Sequence, residues 1–398
     1  MIVLSNYCVL PFNSVSLGSN GEIRVCCNAG YIPTGLNIDS LNVDEIINND
    51  YIYGIRETFI ENKKHNFCNR CWQMESAGTR SFRDVANKNK FYGYTVSNLN
   101  LKKVIDFSDI RYLDIGLGNK CNLACRMCNW SSSSLLAKQL AEIEGREIPN
   151  DIELSRDNKD KVLELIYRAK NLACIYMLGG EPLINDFHDE ILDVIIKNNR
   201  ANQIAINYST NLQVNKIEDF IDRWNNFAEI NLQVSIDGEE EVYEYIRWPG
   251  KWDKVYKNLN IIQQKIKNEK VQISIATTIQ NINALSIPKL LKKCCVMHNK
   301  VVPFFFIPVV GTPILNNCPN IIIEKGLQKL AELPVYRHIP INDLISQYKQ
   351  ALTIKKDKDK IIDFFKEQKK FDSKRNQNLF QTVPYFNDLA EEYKIEKW

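Results

Sequence analysis

The chain has 398 residues, of which 44% are hydrophobic and 25% are charged, so it is long enough to bury a sizeable core. Its formal net charge is only +3, which gives no strong attraction to nucleic acid or to a membrane surface. It contains no run of about 18 apolar residues that would span a bilayer, and residues 1–14 lack the pattern of a secretion signal. We therefore expect a cytoplasmic protein.

Residues 1–100 contain few long periodic runs and are rich in loop signals, such as the turn sequence Gly18–Gly21. A region of this kind builds little core of its own, and a bound metal can supply the missing stability. We expect these residues to form a small cysteine-bearing module.

Apolar, β-prone runs alternate with amphipathic helical segments over residues 108–320. This alternation predicts parallel strands joined by right-handed crossovers, and strands that are apolar throughout are typical of a sheet covered on both faces. The favoured architecture is α/β with a partial six-stranded βα barrel, and a flat doubly wound sheet is the alternative. The predicted strands are IRYLDIGL, ACIYML, QIAINYS, EINLQVSI, VQISIATT and VVPFFFIPV, and the predicted helices begin near Ser131 and Asp186 or span 213–227, 252–268 and 285–297.

Residues 321–398 have the pattern of charged helices, including the run KKDKDK at Lys355–Lys360. The simplest interpretation is a solvated helical extension that follows the barrel.

Twelve cysteines in a chain with no recognised export signal need an explanation. In a reducing compartment, closely spaced thiols more often bind metal or do chemistry than form disulfides. Nine of the twelve fall into short-spaced groups, which are Cys26 with Cys27, Cys68 with Cys71, Cys121 with Cys125 and Cys128, and Cys294 with Cys295. The four histidines are scattered and form no metal-binding motif.

The sequence CNLACRMC at Cys121–Cys128 follows the first predicted barrel strand. Three soft thiolates suit an iron–sulfur cluster, and three ligands rather than four leave one iron open for another molecule. The spacing resembles the C-x3-C-x2-C signature of the radical S-adenosylmethionine (SAM) superfamily. That resemblance implies a [4Fe–4S] cluster held by Cys121, Cys125 and Cys128, with SAM on the open iron and one-electron cleavage to a 5′-deoxyadenosyl radical. A structural zinc site is the alternative.

Short polar or glycine-containing sequences follow the next three predicted strands, at the strand ends where barrels place their active sites. Similar segments of radical SAM proteins contact SAM, and a GGEP sequence there meets its amino group. The resemblance therefore assigns SAM binding to Gly179, Gly180, Glu181, Pro182, Ser209, Asn211, Ser235 and Asp237. Met127 is a further candidate, to pack on the adenine, although ordinary packing explains it equally well.

A second cysteine set lies in the N-terminal module. Its arrangement resembles the twitch and SPASM auxiliary-cluster modules, and most closely the radical SAM proteins that carry a twitch domain before the barrel. Residues 245–252 and 371–375 add to this likeness, which covers nearly the whole chain. The resemblance implies an auxiliary [4Fe–4S] cluster held by Cys8, Cys26, Cys68 and Cys71. Cys27 is an alternative to Cys26, and a four-cysteine zinc site is an alternative to the cluster.

Two features near the predicted barrel mouth have both a functional and a structural interpretation. Cys318 follows the sixth strand and is a speculative hydrogen-atom donor to a substrate radical, although a plain loop thiol explains it better. Arg247, Trp248 and Trp252 either form a substrate or cap surface or pack in the core.

The resemblance implies hydrogen abstraction followed by a redox modification, such as oxidation or epimerisation, of a sugar-type or peptide substrate. It also implies a one-electron donor such as flavodoxin or ferredoxin. The alternative is a zinc-stabilised binding or scaffold protein with a degenerate barrel, and the intact Gly179–Pro182 sequence disfavours it. No basic stripe interleaved with aromatic residues predicts nucleic-acid binding.

Overall fold

The computed structural model describes residues 5–30, 36–76, 80–91, 102–265, 271–296, 301–306, 315, 318–333 and 341–398. Most of the segment before Cys318, and the end of the sixth predicted strand, lie outside the described residues. No helix within the described residues is long and apolar enough to cross a membrane.

The described strands form a single sheet in the order β2-β1-β3-β4-β5-β6-β7-β8. The six predicted strands are confirmed as β3 to β8, and the α/β fold class with its parallel sheet is confirmed with them. The strands are β1 (Ser14–Leu17), β2 (Ile23–Arg24), β3 (Tyr112–Gly116), β4 (Cys174–Leu178), β5 (Ala205–Thr210), β6 (Glu229–Ser235), β7 (Val271–Thr278) and β8 (Val301–Phe306).

The α-helices of the described residues lie before, between and after these strands. They are α1 (Leu10–Asn13), α2 (Val43–Ile47), α3 (Asp50–Ile60), α4 (Asn69–Ser76), α5 (Phe82–Lys88), α6 (Ser134–Glu144), α7 (Arg156–Arg168), α8 (Asp186–Lys197), α9 (Ile217–Trp224), α10 (Glu240–Ile246), α11 (Trp252–Lys265), α12 (Ile287–Val296), α13 (Asn320–Ala331), α14 (Ile341–Thr353), α15 (Lys358–Arg375), α16 (Leu379–Thr382) and α17 (Phe386–Glu392).

The chain divides into two compact units. Unit 1 comprises Met1–Lys120, Asp151–Tyr208 and Asp222–Asn231, and unit 2 comprises Cys121–Asn150, Ser209–Ile221 and Leu232–Trp398.

In unit 1, the N-terminal region contributes a strand to the sheet, which the sequence does not predict. Strand β1 pairs antiparallel with β2 and parallel with β3, and β3 and β4 pair parallel in turn. The buried guanidinium of Arg56 anchors this region by donating hydrogen bonds to the carbonyls of Pro11 (2.6 Å) and Ile47 (2.7 Å). The region therefore has a polar anchor of its own inside unit 1.

The two faces of β6 differ, whereas the sequence predicts apolar residues on both faces of the strands. Along β6, buried residues alternate with partly exposed ones, as do Ile230 with Asn231 and Leu232 with Gln233. Because successive strand side chains point to opposite faces, one face is apolar and the other is partly open and polar.

In unit 2, the C-terminal helices pack around an apolar cluster instead of forming a solvated extension. Phe364 and Phe365 of α15, Tyr348 of α14 and Phe386 of α17 are almost completely buried in it. The apolar residues of α15 recur at helical spacing, so one face of a strongly charged helix is buried.

Candidate active site

The loop Cys121–Cys128, called the cysteine loop below, is fixed by backbone hydrogen bonds within unit 2. The amide of Ala124 donates to the carbonyl of Trp248 (2.7 Å), and that of Arg126 donates to Ile246 (2.9 Å). The loop therefore has a defined backbone conformation at two of the positions between its cysteines.

Nitrogen donors approach two of the loop's sulfur atoms. The Leu123 amide lies 3.5 Å from Cys121 Sγ, and Asn211 Nδ2 lies 3.9 Å from the same sulfur. Arg247 Nη1 lies 3.7 Å from Cys125 Sγ. N–H groups aimed at sulfur stabilise thiolates and tune iron–sulfur clusters, so this part of the donor set fits such a cluster.

Arg247 is held in place by Asp237, a residue predicted to contact SAM. Arg247 Nε and Asp237 Oδ2 form an ion pair at 2.7 Å, and Asp237 Oδ1 accepts from the Thr278 amide at 2.6 Å. Burial raises the pKa of Asp237, and the Arg247 charge opposes that effect. Asp237 therefore orients the donor to Cys125, while Ser235 lies partly buried at the end of β6.

Burial and nearby charges have opposite effects on the pKa values of the loop thiols. Burial raises the pKa of Cys125, and the guanidinium groups of Arg247 and Arg375 oppose this. Burial also raises the pKa of Cys128 to about 12. Burial thus favours the neutral thiols, and the positive charge of a bound iron would favour the thiolates instead.

Arg126, between the second and third cysteines, anchors the loop to α15. Its guanidinium pairs with Asp372 at 2.6 Å, with both side chains wholly buried. It also donates to Gln368 Oε1 (2.5 Å) and Gln377 Oε1 (2.8 Å), and it stacks 3.6 Å from the centre of the Tyr245 ring. These contacts use most of the donor capacity of a guanidinium.

Arg375 lies about one turn after Asp372 on α15, and its side chain contacts the backbone of the cysteine loop. It donates to the Ala124 carbonyl at 2.7 Å and to Gln139 Oε1 at 2.6 Å. The Trp248 and Phe371 rings flank its guanidinium. We call Arg126, Gln368, Asp372 and Arg375 the brace, because these residues fix the cysteine loop from the side of α15.

The glycines of the Gly179–Pro182 sequence, in unit 1, are required by close packing. A side chain at Gly179 (φ +92°) would lie 2.6 Å from Ser19 Oγ and 2.7 Å from the Gly118 carbonyl. At Gly180 (φ +55°) it would collide with the Lys120 carbonyl. The backbone of this turn thus approaches that of residues 118–120 as only glycine allows.

Glu181 follows these glycines and is completely buried. Its amide donates to the Lys120 carbonyl at 2.9 Å, and its carboxylate accepts from the Leu183 amide at 3.2 Å across the buried Pro182. The side-chain Nδ2 of Asn119, two residues before Cys121, is buried without a hydrogen-bond partner among the described residues. Polar groups of this kind suit an ammonium or carboxylate ligand.

The remaining predicted residues have mixed placements within unit 2. Ser209 donates to Gln233 Oε1 at 3.1 Å, and Asn211 also donates to Asn122 Oδ1 of the cysteine loop at 2.9 Å. Met127 packs against the apolar cluster of the C-terminal helices, and Cys318 is completely buried in that cluster. For these two residues the placement favours the packing interpretation.

Four of the five N-terminal cysteines, Cys8, Cys26, Cys68 and Cys71, influence one another electrostatically in unit 1, and we call them the N-terminal thiol set. The pKa of Cys26 is raised by burial and then by charge on Cys8, Cys68 and Cys71, which therefore lie near it. Burial also raises the pKa of Cys68, to about 12. Thiols that influence one another in this way can ligate a shared metal cluster or ion once they lose their protons.

The Cys27 thiol has a different partner from that of Cys26. It forms a hydrogen bond with the carboxyl group of Asp114 on β3, as does Ser16 Oγ at 3.2 Å. This difference favours Cys26 as the fourth member of the thiol set.

Among the described residues, no group of three His, Cys, Asp or Glu side chains has the geometry of a metal-ion site. The assignment of both thiol sets therefore rests on the chemistry and surroundings of the donors and not on a preformed coordination shell.

The family model of the radical SAM superfamily matches residues 115–291. The chain contains a radical SAM domain. The matched residues include the cysteine loop and the three strand-end motifs.

Several solved structures are similar to the chain at low identity. The structure "Native anSMEcpe with bound AdoMet" has 17% identity and a TM-score of 0.41, and covers 56% of this chain and 60% of that chain. SuiB of Streptococcus suis, bound to the precursor peptide SuiA, has 14% identity and a TM-score of 0.40, and covers 80% of this chain and 67% of that one. This chain thus spans about three fifths of the length of anSMEcpe. A comparison with curated proteins finds no match.

Sequence reasoning missed two sets of site residues. For the brace, the available signals are the helical spacing of Gln368, Asp372 and Arg375 and the arginine inside the cysteine motif; residues 371–375 were assigned only to the family likeness. Asp114 is a charged residue in an otherwise apolar predicted strand, which marks a functional candidate.

Proposed function

We propose that this protein is a radical SAM enzyme. It would cleave SAM reductively to a 5′-deoxyadenosyl radical, abstract a hydrogen atom from a substrate, and so oxidise or epimerise a sugar-type or peptide substrate. The observation that carries the proposal is the cysteine loop, whose Cys121 and Cys125 sulfurs face N–H donors inside the matched domain.

Cys121, Cys125 and Cys128 would hold the SAM-binding [4Fe–4S] cluster. Such a cluster supplies the electron for SAM cleavage and an open iron that binds the amino and carboxylate groups of SAM. The protein's own part is to bind and orient. Arg247 donates to the Cys125 sulfur, Asp237 fixes Arg247, and the brace fixes the loop.

The Gly179–Pro182 turn would hold the methionine end of SAM, with the Glu181 carboxylate accepting from its ammonium group. The absence of side chains at Gly179 and Gly180 lets this turn lie against residues 118–120. Ser209, Asn211 and Ser235 remain candidates for the rest of the ligand, whereas Met127 packs against the apolar cluster. Asn211 would act at least partly through the cysteine loop, which it contacts at Asn122. Asp237 would act on the same loop through Arg247.

Cys8, Cys26, Cys68 and Cys71 would ligate an auxiliary [4Fe–4S] cluster in a twitch-like module. A second cluster gives a radical enzyme an electron acceptor for net oxidation, or a group that ligates the substrate. The electrostatic influence of these cysteines on one another supports a shared site. Flavodoxin or ferredoxin would supply electrons, in the cytoplasm.

Anaerobic reconstitution with iron, sulfide, SAM and dithionite tests the proposal. We expect about eight irons per chain and formation of 5′-deoxyadenosine. A fully reconstituted protein that forms none would contradict the proposed activity. Zinc without iron after anaerobic purification would instead favour the scaffold alternative.

A further inference from the structure

A groove lined by lysines lies between α6 and α15 within unit 2. Its volume is about 670 Å³. We call it the lysine groove, and the residues that line it include Lys366, Lys369, Lys370 and Lys374 of α15 with Glu142 and Ile143 of α6. The four lysines recur at a spacing of three or four residues, so they lie on one face of the helix.

The lysine groove has an excess of positive charge. Among the described residues that line it, four are lysines and one is a glutamate. Glu142 forms an ion pair with Lys374. The partners of Lys366 and Lys369 are exposed carboxylates that do not line the groove, and exposed pairs of this kind contribute little. Because like charges three or four residues apart destabilise a helix, the stability of α15 does not account for the row of lysines.

The lysine groove and the cysteine loop border the same small group of apolar side chains. This group consists of Ala124, Leu136 and Phe371, and we call it the Phe371 patch. Ile143, which lines the groove, packs against the patch on one side chain, and Cys128 packs against the patch as well. The groove therefore lies within a few side chains of a cysteine that would hold the SAM-binding cluster.

This position suits an electron carrier better than another kind of partner. A carrier has to come close to the cluster that it reduces, whereas a substrate or a nucleic acid has no need to adjoin a cluster ligand at the rear of the cysteine loop. Electron-transfer complexes are small and transient, and charge complementarity speeds their formation. A cationic groove attracts an acidic protein from a distance, and exposed lysines that are not held by buried partners are free to meet its carboxylates.

We propose that the lysine groove is the docking surface for the electron donor, and that the donor is an acidic one-electron carrier protein such as flavodoxin or ferredoxin. The reduced carrier loses one electron, the cluster proposed at Cys121, Cys125 and Cys128 gains it, and no bond is formed or broken in this step. This inference rests on the proposed function and adds to it the place where the reductant binds.

Binding of flavodoxin and of a [2Fe–2S] ferredoxin to the reconstituted protein is the first test, with biolayer interferometry at low and high ionic strength giving both rate constants. The double variant Lys369→Glu with Lys370→Glu should raise the Kd of the carrier by about tenfold, chiefly through slower association, and high salt should reduce the difference.

The matched control reverses two exposed lysines on α11, in the variant Lys257→Glu with Lys265→Glu. Lys265 lies 3.6 Å from an exposed glutamate, as Lys369 lies 3.9 Å from another, so the two variants lose equivalent ion pairs. The control should change the Kd by at most about twofold, because net charge alone acts weakly through screening salt. Circular dichroism verifies that both variants are folded.

Formation of 5′-deoxyadenosine gives the second readout, driven either by a limiting amount of carrier or by dithionite, which needs no docking surface. The ratio of the carrier-driven rate to the dithionite-driven rate should fall by about tenfold in the groove variant and stay unchanged in the α11 control. No product with dithionite in the unmodified protein would contradict the proposed function, and the binding measurement is independent of that outcome.

Three results would overturn the inference. The groove variant could bind both carriers as tightly as the unmodified protein does, or the two double variants could weaken binding equally. An RNA oligonucleotide or a polyglutamate peptide, tested alongside, could bind in a manner that depends on Lys369 and Lys370 while neither carrier binds. In that case the groove would serve another partner.

Discussion

The two thiol-rich regions of the molecule differ in the charges that surround them. At the cysteine loop, two guanidinium groups, those of Arg247 and Arg375, oppose the effect of burial on Cys125. In the N-terminal set, Arg83 opposes that effect at Cys8 and Cys68, whereas neighbouring thiolates reinforce it at Cys26. Nearby cations favour the more negative state of a cluster. We therefore expect the protein to ease electron uptake at the cysteine loop more than at the N-terminal set.

Removing the ligands of one set at a time gives the largest expected effect. Alanine at Cys121, Cys125 and Cys128 together should abolish 5′-deoxyadenosine formation and remove about four of about eight irons. Alanine at Cys68 and Cys71 should remove a similar amount of iron but spare some uncoupled SAM cleavage.

The control for these variants is Cys174→Ala, which removes a buried thiol of β4 outside both sets and should keep all the iron. Equal loss of SAM cleavage in the two ligand variants would contradict the assignment of SAM cleavage to the cysteine loop.

Disruption of the brace should have the next largest effect. Asp372→Ala leaves the wholly buried Arg126 charge without its ion-pair partner, so we expect a loss of about 3–5 kcal/mol in the free energy of unfolding. Urea unfolding under anaerobic conditions measures it. Asp363→Ala, which removes an exposed partner of Lys366 on the same helix, should change stability by at most about 0.5 kcal/mol.

If the brace positions the cysteine loop, its disruption should also weaken iron binding at that loop. In folded Asp372→Ala protein, iron should be lost from the cysteine loop before it is lost from the N-terminal set. Iron retained equally at both sites, or an unfolding cost of less than about 1 kcal/mol, would show that the loop is held by other contacts.

The six barrel strands could be predicted because their apolar runs are long and separated by helical patterns. Strand β1 could not, since Ser14–Leu17 is four residues long and its pairing with β3 joins segments far apart in sequence. Helix α7 was missed because its first half is strongly charged. Local sequence carries no signal for pairing between distant segments.

Some residues of the candidate site could likewise be predicted from the sequence, and others could not. The cysteines and the Gly179–Pro182 turn could be predicted because cluster ligation and close backbone approach demand particular residues at fixed spacing. The burial of Asp372 and Arg375 could not, since polar residues on a charged helix indicate solvent unless their partners in the cysteine loop are known. Only the fold brings those partners together.

Replacing Arg247 by Gln tests whether the cations near the cysteine loop ease electron uptake there. Loss of the cationic donor at 3.7 Å from the Cys125 sulfur should destabilise the reduced cluster, so its potential should fall by roughly 60–120 mV. A redox titration followed by electron paramagnetic resonance measures the shift. Lys251→Gln, which removes an exposed cation paired with Glu244, is the control and should leave the potential unchanged. An unchanged potential in Arg247→Gln would remove the basis of the comparison.

The smallest expected effect concerns the carboxyl group of Glu367, on α15 beside the brace. Burial raises its pKa to about 7, although Arg126, Lys370 and Arg375 oppose the effect. Between about pH 4.5 and 7 the folded protein therefore holds a proton that the unfolded chain releases, so this group lowers stability as pH rises through that window. Glu367→Gln removes the penalty and should stabilise the protein by about 1–2 kcal/mol more at pH 8 than at pH 4.5. Urea unfolding at both pH values measures it, with the exposed Glu392→Gln as a pH-independent control. The gain in the free energy of unfolding from Glu367→Gln could instead be the same at both pH values. The surroundings of the brace would then be as polar as the surface. In that case the cations near Cys125 would be too well screened to favour its cluster.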